Sequence, residues 1–326
     1  MPLSQLMKLK LKTCFALVAL YTSALAFAGG EGWSSDFAAA KKDAADSKKD
    51  LLIDFTGSDW CGWCIKLNKE VFSHQPFKDG VKDKFVLVEL DYPKDKSKLS
   101  GATIEQNEKL KNEYQVRGYP TILLCDATGK PYARTGYQKD GPESYVKHLD
   151  ELRARKDVRD EAFKAAESAS GVEKAKALVA ALKAMDLDDA MVANFYGDIA
   201  AQIKAADPKD ETGFTKAAEA KERIGKFQAE FSGLAQKGDF DGAMALLDKT
   251  LKDGGFDADE TQKLMATRGM VFAQQKKFDE AIQAVVEAKA FAPDSQTAAG
   301  LDGFIKKLEE AKAKEAGGPA EKPAAE

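Results

Sequence analysis

Two cysteines two residues apart, in Cys61-Gly62-Trp63-Cys64, stand where an apolar run (Leu51, Leu52, Ile53, Asp54, Phe55) gives way to helical spacing (Ile65, Leu67, Val71, Phe72). Such a pair at a strand-to-helix junction can close a small disulfide and open it again. The first thiol would sit at a helix N-terminus, where unpaired backbone N–H groups and the macrodipole favour a thiolate. That setting lowers a cysteine pKa from ~8.5 into the range of roughly 3.5–7.5, and the thiolate is the form that attacks disulfides. The predicted chemistry is thiol–disulfide exchange, with the Cys61–Cys64 disulfide as the redox group and no separate cofactor. A zinc site would need two more ligands at comparable spacing. Apart from Cys14 near the N-terminus, the other cysteine and histidines are Cys125, His74 and His148, in no ligand-like pair, so no metal is expected. A purely structural bridge stays open as an alternative, although so short a loop constrains the unfolded chain little.

The elements that must hold this pair alternate between extended and helical. Ser35 or Asp36 can cap a helix through about Ala45, and Leu51–Phe55 is a short strand bounded by turn residues. A helix follows the cysteines, with His74 closing it. Phe85–Asp91 is a second strand, and another helix lies near Ile104–Tyr114. Thr121–Cys125 and Tyr132–Thr135 bracket the hairpin loop Asp126-Ala127-Thr128-Gly129-Lys130. A helix over Glu143–Leu152 ends the region. The order predicts an α/β domain with a mixed sheet flanked by helices.

The chain has 326 residues, more than one core usually fills, and its composition shifts near residue 150. The first 28 residues read as a secretory leader. Lys8, Lys10 and Lys12 form a basic region, an apolar stretch follows from Phe15, and Ala26-Phe27-Ala28 is a small-x-small cleavage site. Cys14 belongs to that leader. The apolar stretch is too short for a comfortable span of ~20 residues, so no membrane attachment is expected after cleavage. Export to a periplasmic or extracellular, oxidising compartment follows. With 49 basic and 53 acidic residues the formal charge is −4, and losing the leader lysines makes it more acidic. This excludes nucleic acid and anionic membrane as expected partners. Residues 311–326, without a large apolar side chain, read as a solvated tail.

Several motifs together resemble the thioredoxin superfamily in order and spacing. They are Asp54-Phe55, Trp60-Cys61-Gly62-Trp63-Cys64, Val88-Glu89-Leu90-Asp91, Val116-Arg117-Gly118-Tyr119-Pro120-Thr121 and Gly129-Lys130. Gly57-Ser58-Asp59-Trp60 ahead of the cysteines, with Glu70-Val71-Phe72 after them, is similar to secreted bacterial thioredoxin-like domains. The resemblance covers about residues 33–152. It implies that Pro120 is a cis proline facing the disulfide, with the Tyr119 backbone pairing an extended substrate. Cys61 would be the exposed nucleophile and Cys64 the resolving thiol. Asp54, desolvated between Ile53 and Phe55, would be a proton acceptor for Cys64. Trp60, Gly62 and Trp63 complete the expected substrate-contacting set, with Trp60 expected in the core and Trp63 exposed. Two departures stand out: one extra residue separates Asp54 from the cysteines, and Leu87 stands where a lysine is common. The direction of electron flow is not readable from Gly62-Trp63.

From Asp157 on, helices recur: Val172–Leu187, Met191–Ala206, Thr215–Phe231, and a unit with Gly269, Phe272, Phe278, Ala281, Val285, Ala288 and Pro293. That last spacing resembles a tetratricopeptide repeat, with a weaker copy at Phe240, Ala243, Leu247 and Thr250. The expected layout is a leader at 1–28, a thioredoxin-like domain at 31–155, a helical repeat-like domain at 156–310 and a tail at 311–326. Two functions compete. One is an exported thiol–disulfide oxidoreductase acting on protein thiols and disulfides, its helical half docking a protein partner. The other is a protein-binding scaffold whose disulfide is regulatory or non-catalytic.

Overall fold

The computed structural model describes residue 30, residues 32–185 and residues 187–316. The expected leader and the chain from 317 onward lie outside the described residues. The chain divides into two compact units: one gathers the residues up to Asp157 with Met185–Phe195, the other Val158–Ala184 with Tyr196 onward.

The first unit is built on a five-stranded mixed sheet. Its strands are β1 (Trp33–Ser34), β2 (Asp50–Thr56), β3 (Phe85–Asp91), β4 (Thr121–Cys125) and β5 (Pro131–Thr135), in the spatial order β1-β3-β2-β4-β5. β3 pairs in parallel with β1 and β2, and β4 runs antiparallel to both β2 and β5. Every residue of β2 is buried, as expected of a central strand covered on both faces. Helices α1 (Phe37–Ser47) and α4 (Gly101–Glu113) cover one face. There Ala40, Ala44, Leu110 and Tyr114 pack with Leu51, Ile53, Phe55, Val88 and Leu90, and Met191 joins them. Asp36 caps α1 by accepting from the Ala39 N–H. The β4–β5 turn is tied by Asp126, which accepts from the N–H groups of Thr128 and Lys130, while Gly129 takes φ +92°.

After the cysteines come α2 (Gly62–Leu67), a π-helical turn over Asn68–Phe72 and α3 (Gln75–Val81). His74 stands just before α3, its Nε2 3.0 Å from the Lys69 carbonyl. Helix α5 (Gly141–Ser168) does not stop near Leu152 but continues for four more turns. No Gly or Pro interrupts residues 143–168, so composition changes there without any backbone signal to break the helix. Its Arg153 and Lys156 reach back to the buried Asp50 at the start of β2, at 3.1 and 2.5 Å.

The second unit is all helical, completed by α6 (Gly171–Met185), α7 (Asp189–Ala206), α8 (Phe214–Gln236), α9 (Phe240–Asp253), α10 (Ala258–Gln274), α11 (Phe278–Phe291) and α12 (Gln296–Ala316). Met185 and the start of α7 belong to the first unit, and α7 breaks at Tyr196, where φ −134° and ψ 19° leave the helical region. α12 runs into the stretch expected to be tail. Ala, Lys and Glu are strong helix formers, and Glu315 pairs with Lys276 while Lys312 pairs with Asp279. α10 and α11 pack through Ala266, Ala281, Val285 and Ala288. A side chain at Gly269 would bring a Cβ within 2.4 Å of Val285 Cγ2 and 3.0 Å of the Ala281 carbonyl.

Two effects of opposite sign therefore meet in Gly269→Ala. Helix propensity favours Ala by about 1 kcal/mol, while overpacking a close crossing costs about 1–3 kcal/mol. The thermal unfolding midpoint is expected to fall, and a raised midpoint would contradict the close approach.

Candidate active site

Cys61 caps α2 in an extended conformation (φ −81°, ψ 101°), so its sulfur faces the first turn. The Cys64 N–H donates to Cys61 Sγ at 3.2 Å. The two sulfurs are joined in a disulfide. A sulfur anion formed on Cys61 therefore already has a hydrogen-bond donor in place.

Cys61 is not the exposed residue expected: only 6% of it is accessible, against 4% for Cys64. What is exposed is the aromatic flank. Trp63 is 57% accessible, as expected, but Trp60 is 41% accessible rather than in the core. Trp60 lies edge-on to Tyr119 (centroids 5.6 Å apart) and donates from Nε1 to the Tyr92 carbonyl at 2.8 Å. Gly57 makes room for it, since a Cβ there would meet the indole at 2.6 Å. A core position would bury the polar indole N–H, whereas this one bonds it and leaves a ring face open. The Tyr119–Pro120 peptide is cis. Trp60, Tyr92, Leu99, Ile104, Lys111 and Tyr119 line a cleft of about 340 Å³.

Trp63 is held from the other side. Its ring lies 5.2 Å from that of Tyr137, and Lys66 Nζ stands over both rings at 5.2 and 5.0 Å. The Tyr137 hydroxyl donates to Glu70 at 2.6 Å. Beyond Trp63 and Tyr137 opens a cleft of about 540 Å³ that includes Lys147, His148 and Glu151. Gly62, between the cysteines, is exposed with open space around its Cα. Cys125 is buried in β4, in register with Leu51.

Asp54 occupies the middle of β2 and is 5% accessible, with Oδ1 lacking any hydrogen-bond partner. Its pKa is pushed well above the usual carboxylate range, first by burial and then by the charges of Glu89 and Asp91. Glu89 is its register partner on β3. Paired residues share a face, so Asp54, Glu89 and Asp91 lie on the sheet side opposite the apolar cluster of Val88 and Leu90. Burial, then Asp91, pushes Glu89 up to about 7. Asp91 is tied down by Ser58, whose N–H and hydroxyl donate at 2.9 and 2.6 Å. Sequence reasoning assigns no role to Glu89, yet a signal is there: it interrupts a run of apolar residues from Phe85 to Leu90.

Sheet order and a disulfide at the start of a helix are those of the thioredoxin-like class of thiol–disulfide oxidoreductases. The family described as the thioredoxin-like domain matches residues 37–153. The chain is 35% identical over 114 residues to the disulfide bond reductase DsbH of Chlamydia pneumoniae, covering 35% of this chain and 68% of that protein. It is 32% identical over 104 residues to the thioredoxin-related protein DsbJ of the same organism, covering 32% of this chain and 30% of that protein. A solved structure described as a DsbH oxidoreductase is 32% identical with a TM-score of 0.35, over 36% of this chain and 81% of that one. The chain belongs to the thioredoxin-like family.

The raised carboxyl of Glu89 makes a signed prediction. An acid whose folded pKa is raised contributes stability below its unfolded pKa and loses it as pH climbs through the folded value. For Glu89 that window runs from the ordinary 4.5 to about 7. Glu89→Gln should therefore match wild type in urea unfolding at low pH. Above neutrality it should be more stable, by about 3 kcal/mol at 1.36 kcal/mol per unit. An equal or lower stability than wild type in alkaline buffer would contradict the burial of an unpaired charge.

Proposed function

We propose that this protein is an exported thiol–disulfide oxidoreductase that acts on protein disulfides through Cys61 and Cys64. The observation that carries the reading is the Cys64 N–H already aimed at Cys61 Sγ, which favours the anion needed for attack. The leader-like sequence at residues 1–28 supports export to a periplasmic or extracellular compartment. Among the described residues no helix is long and apolar enough to cross a membrane.

In the reducing direction, supported by the name of the chlamydial relative, the Cys61 thiolate attacks one sulfur of a substrate disulfide. The Cys61–substrate bond forms as the substrate S–S bond breaks, and the departing sulfur leaves as a thiolate that takes a proton from water. Cys64 then gives its proton to Asp54, and its thiolate attacks Cys61 Sγ. The Cys61–Cys64 bond forms, the second substrate sulfur leaves, and two electrons have passed to the substrate. A dithiol donor returns the pair to its reduced state by the reverse exchange. In this reading Asp54 is suited to its task because burial favours its protonated form, so a proton released by Cys64 can be held there.

Trp60, Gly62, Trp63, Tyr119 and Pro120 form the substrate-contacting rim. The half-exposed rings of Trp60 and Trp63 offer apolar area on either side of the disulfide. Access to the covered Cys61 sulfur then comes with a substrate chain laid between them. The helical unit serves partner docking. Supporting this is its groove of about 460 Å³ between α8 and α10, lined by Phe227, Phe231, Leu264 and the half-exposed Met270.

Two variants test the reading. Cys64→Ala should accumulate mixed disulfides between Cys61 and protein substrates, visible as reductant-sensitive adducts on non-reducing gels. Cys61→Ser should form none and lose turnover of a model protein disulfide. Adducts that persist in Cys61→Ser, or full turnover in either variant, would overturn the assignment.

A further inference from the structure

Strand β2 carries two buried carboxylates, and they are treated in opposite ways. Asp50 receives Arg153 Nε at 3.1 Å, Lys156 Nζ at 2.5 Å and the Tyr132 hydroxyl at 2.9 Å. Asp54, four residues on and on the same face, receives no cation among the described residues. The charged groups acting on it are Glu89 and Asp91, both from β3 and both acidic. From β4 its register partner is the apolar Ile122. From α5 the facing titratable group is the buried phenol of Tyr145, whose hydroxyl donates instead to the Gly136 carbonyl at 3.0 Å. Cys61 caps α2 and Cys64 lies in its first turn.

Glu89 is the group placed to answer Asp54. The two are Cα partners on adjacent parallel strands, both nine-tenths or more buried. Asp91 is engaged by Ser58 through both oxygens, while Asp54 Oδ1 lacks any partner. Two carboxyls confined together without a cation cannot both ionise cheaply, and the stable arrangement holds one proton between them.

We propose that Glu89 is a positioning residue that shares one proton with Asp54 and so sets the pH range over which Asp54 can take the Cys64 proton. The proposal rests on the function given above for Asp54. No electron moves in this step: the proton leaves Cys64 Sγ for the Asp54–Glu89 pair, and the pair passes one back when the disulfide is next opened. Asp54 touches the reacting thiol in this scheme, and Glu89 acts only through Asp54.

The test is a titration of the oxidised full-length protein by NMR, reading the Asp and Glu side-chain carboxyl carbons between about pH 4 and about pH 9. The signals of Asp54 and Glu89 should each show two shared steps, separated by about one pH unit or more. In Asp54→Asn the Glu89 signal should collapse to one step, displaced downward by about one unit. Separate single steps in the wild-type protein, or a Glu89 step unmoved by Asp54→Asn, would overturn the sharing. Turnover of a model protein disulfide reads the consequence. Glu89→Gln should move the pH midpoint of the rate down by about one unit, and should leave the profile of the Asp54→Asn variant unchanged. A Glu89→Gln profile that superimposes on wild type overturns the link to Cys64. A wild-type protein that turns over no disulfide overturns the proposed function and that link together, and the titration still decides the shared proton.

Discussion

A central strand sealed on both faces cannot hold a charge without answering it, and β2 carries two acids. Unfavourable solvation of a buried carboxylate is relieved either by a partner or by a proton. Asp50 takes the first route through Arg153, Lys156 and Tyr132, which also fastens α5 to the sheet. Asp54 is driven toward the second, because burial and then the neighbouring acids Glu89 and Asp91 push its pKa up. Breaking a buried pair by removing one partner costs about 3–5 kcal/mol, which makes the Asp50 cluster structural. An uncompensated acid is instead a standing liability, and the proposed function gives it a use as acceptor of the Cys64 proton.

The thiol chemistry depends on a second local constraint, the capping role of Cys61. With Cys61 extended and Gly62 beginning the helix, the Cys64 N–H has no intrahelical carbonyl to meet and donates to sulfur instead. Trp60 and Trp63 adjoin the cysteines in sequence, and Tyr119 and Tyr137 back their rings. Geometry that activates the sulfur thus also frames it. The disulfide is covered while Trp60 and Trp63 beside it are exposed, and the proposed function accordingly gives recognition to the aromatic rim and chemistry to the sulfurs beneath.

Much of this was legible from residue order. β2, β3 and the β4–β5 hairpin were readable because apolar runs end in residues with specific turn chemistry, such as Asp126 and Gly129. β1 was not, since Trp33–Ser34 is a strand only by its pairing with Leu87 and Val88. The length of α5 was hidden because a change in composition is not a change in backbone preference. Burial of Cys61 and exposure of Trp60 depend on tertiary neighbours and left no local trace. Glu89 was visible as an acid in an apolar strand, but its meaning required the register that sets it beside Asp54.

Cysteine ionisation is the most direct probe of the whole account. The reduced protein would be alkylated over a range of pH, with each thiol's modification followed by peptide mass spectrometry. The sulfur at position 61 should ionise well below the ~8.5 of an unconstrained cysteine, and position 64 should ionise at higher pH. A Cys61 that titrates like an ordinary thiol would contradict the claim that the turn at Gly62 prepares it for attack.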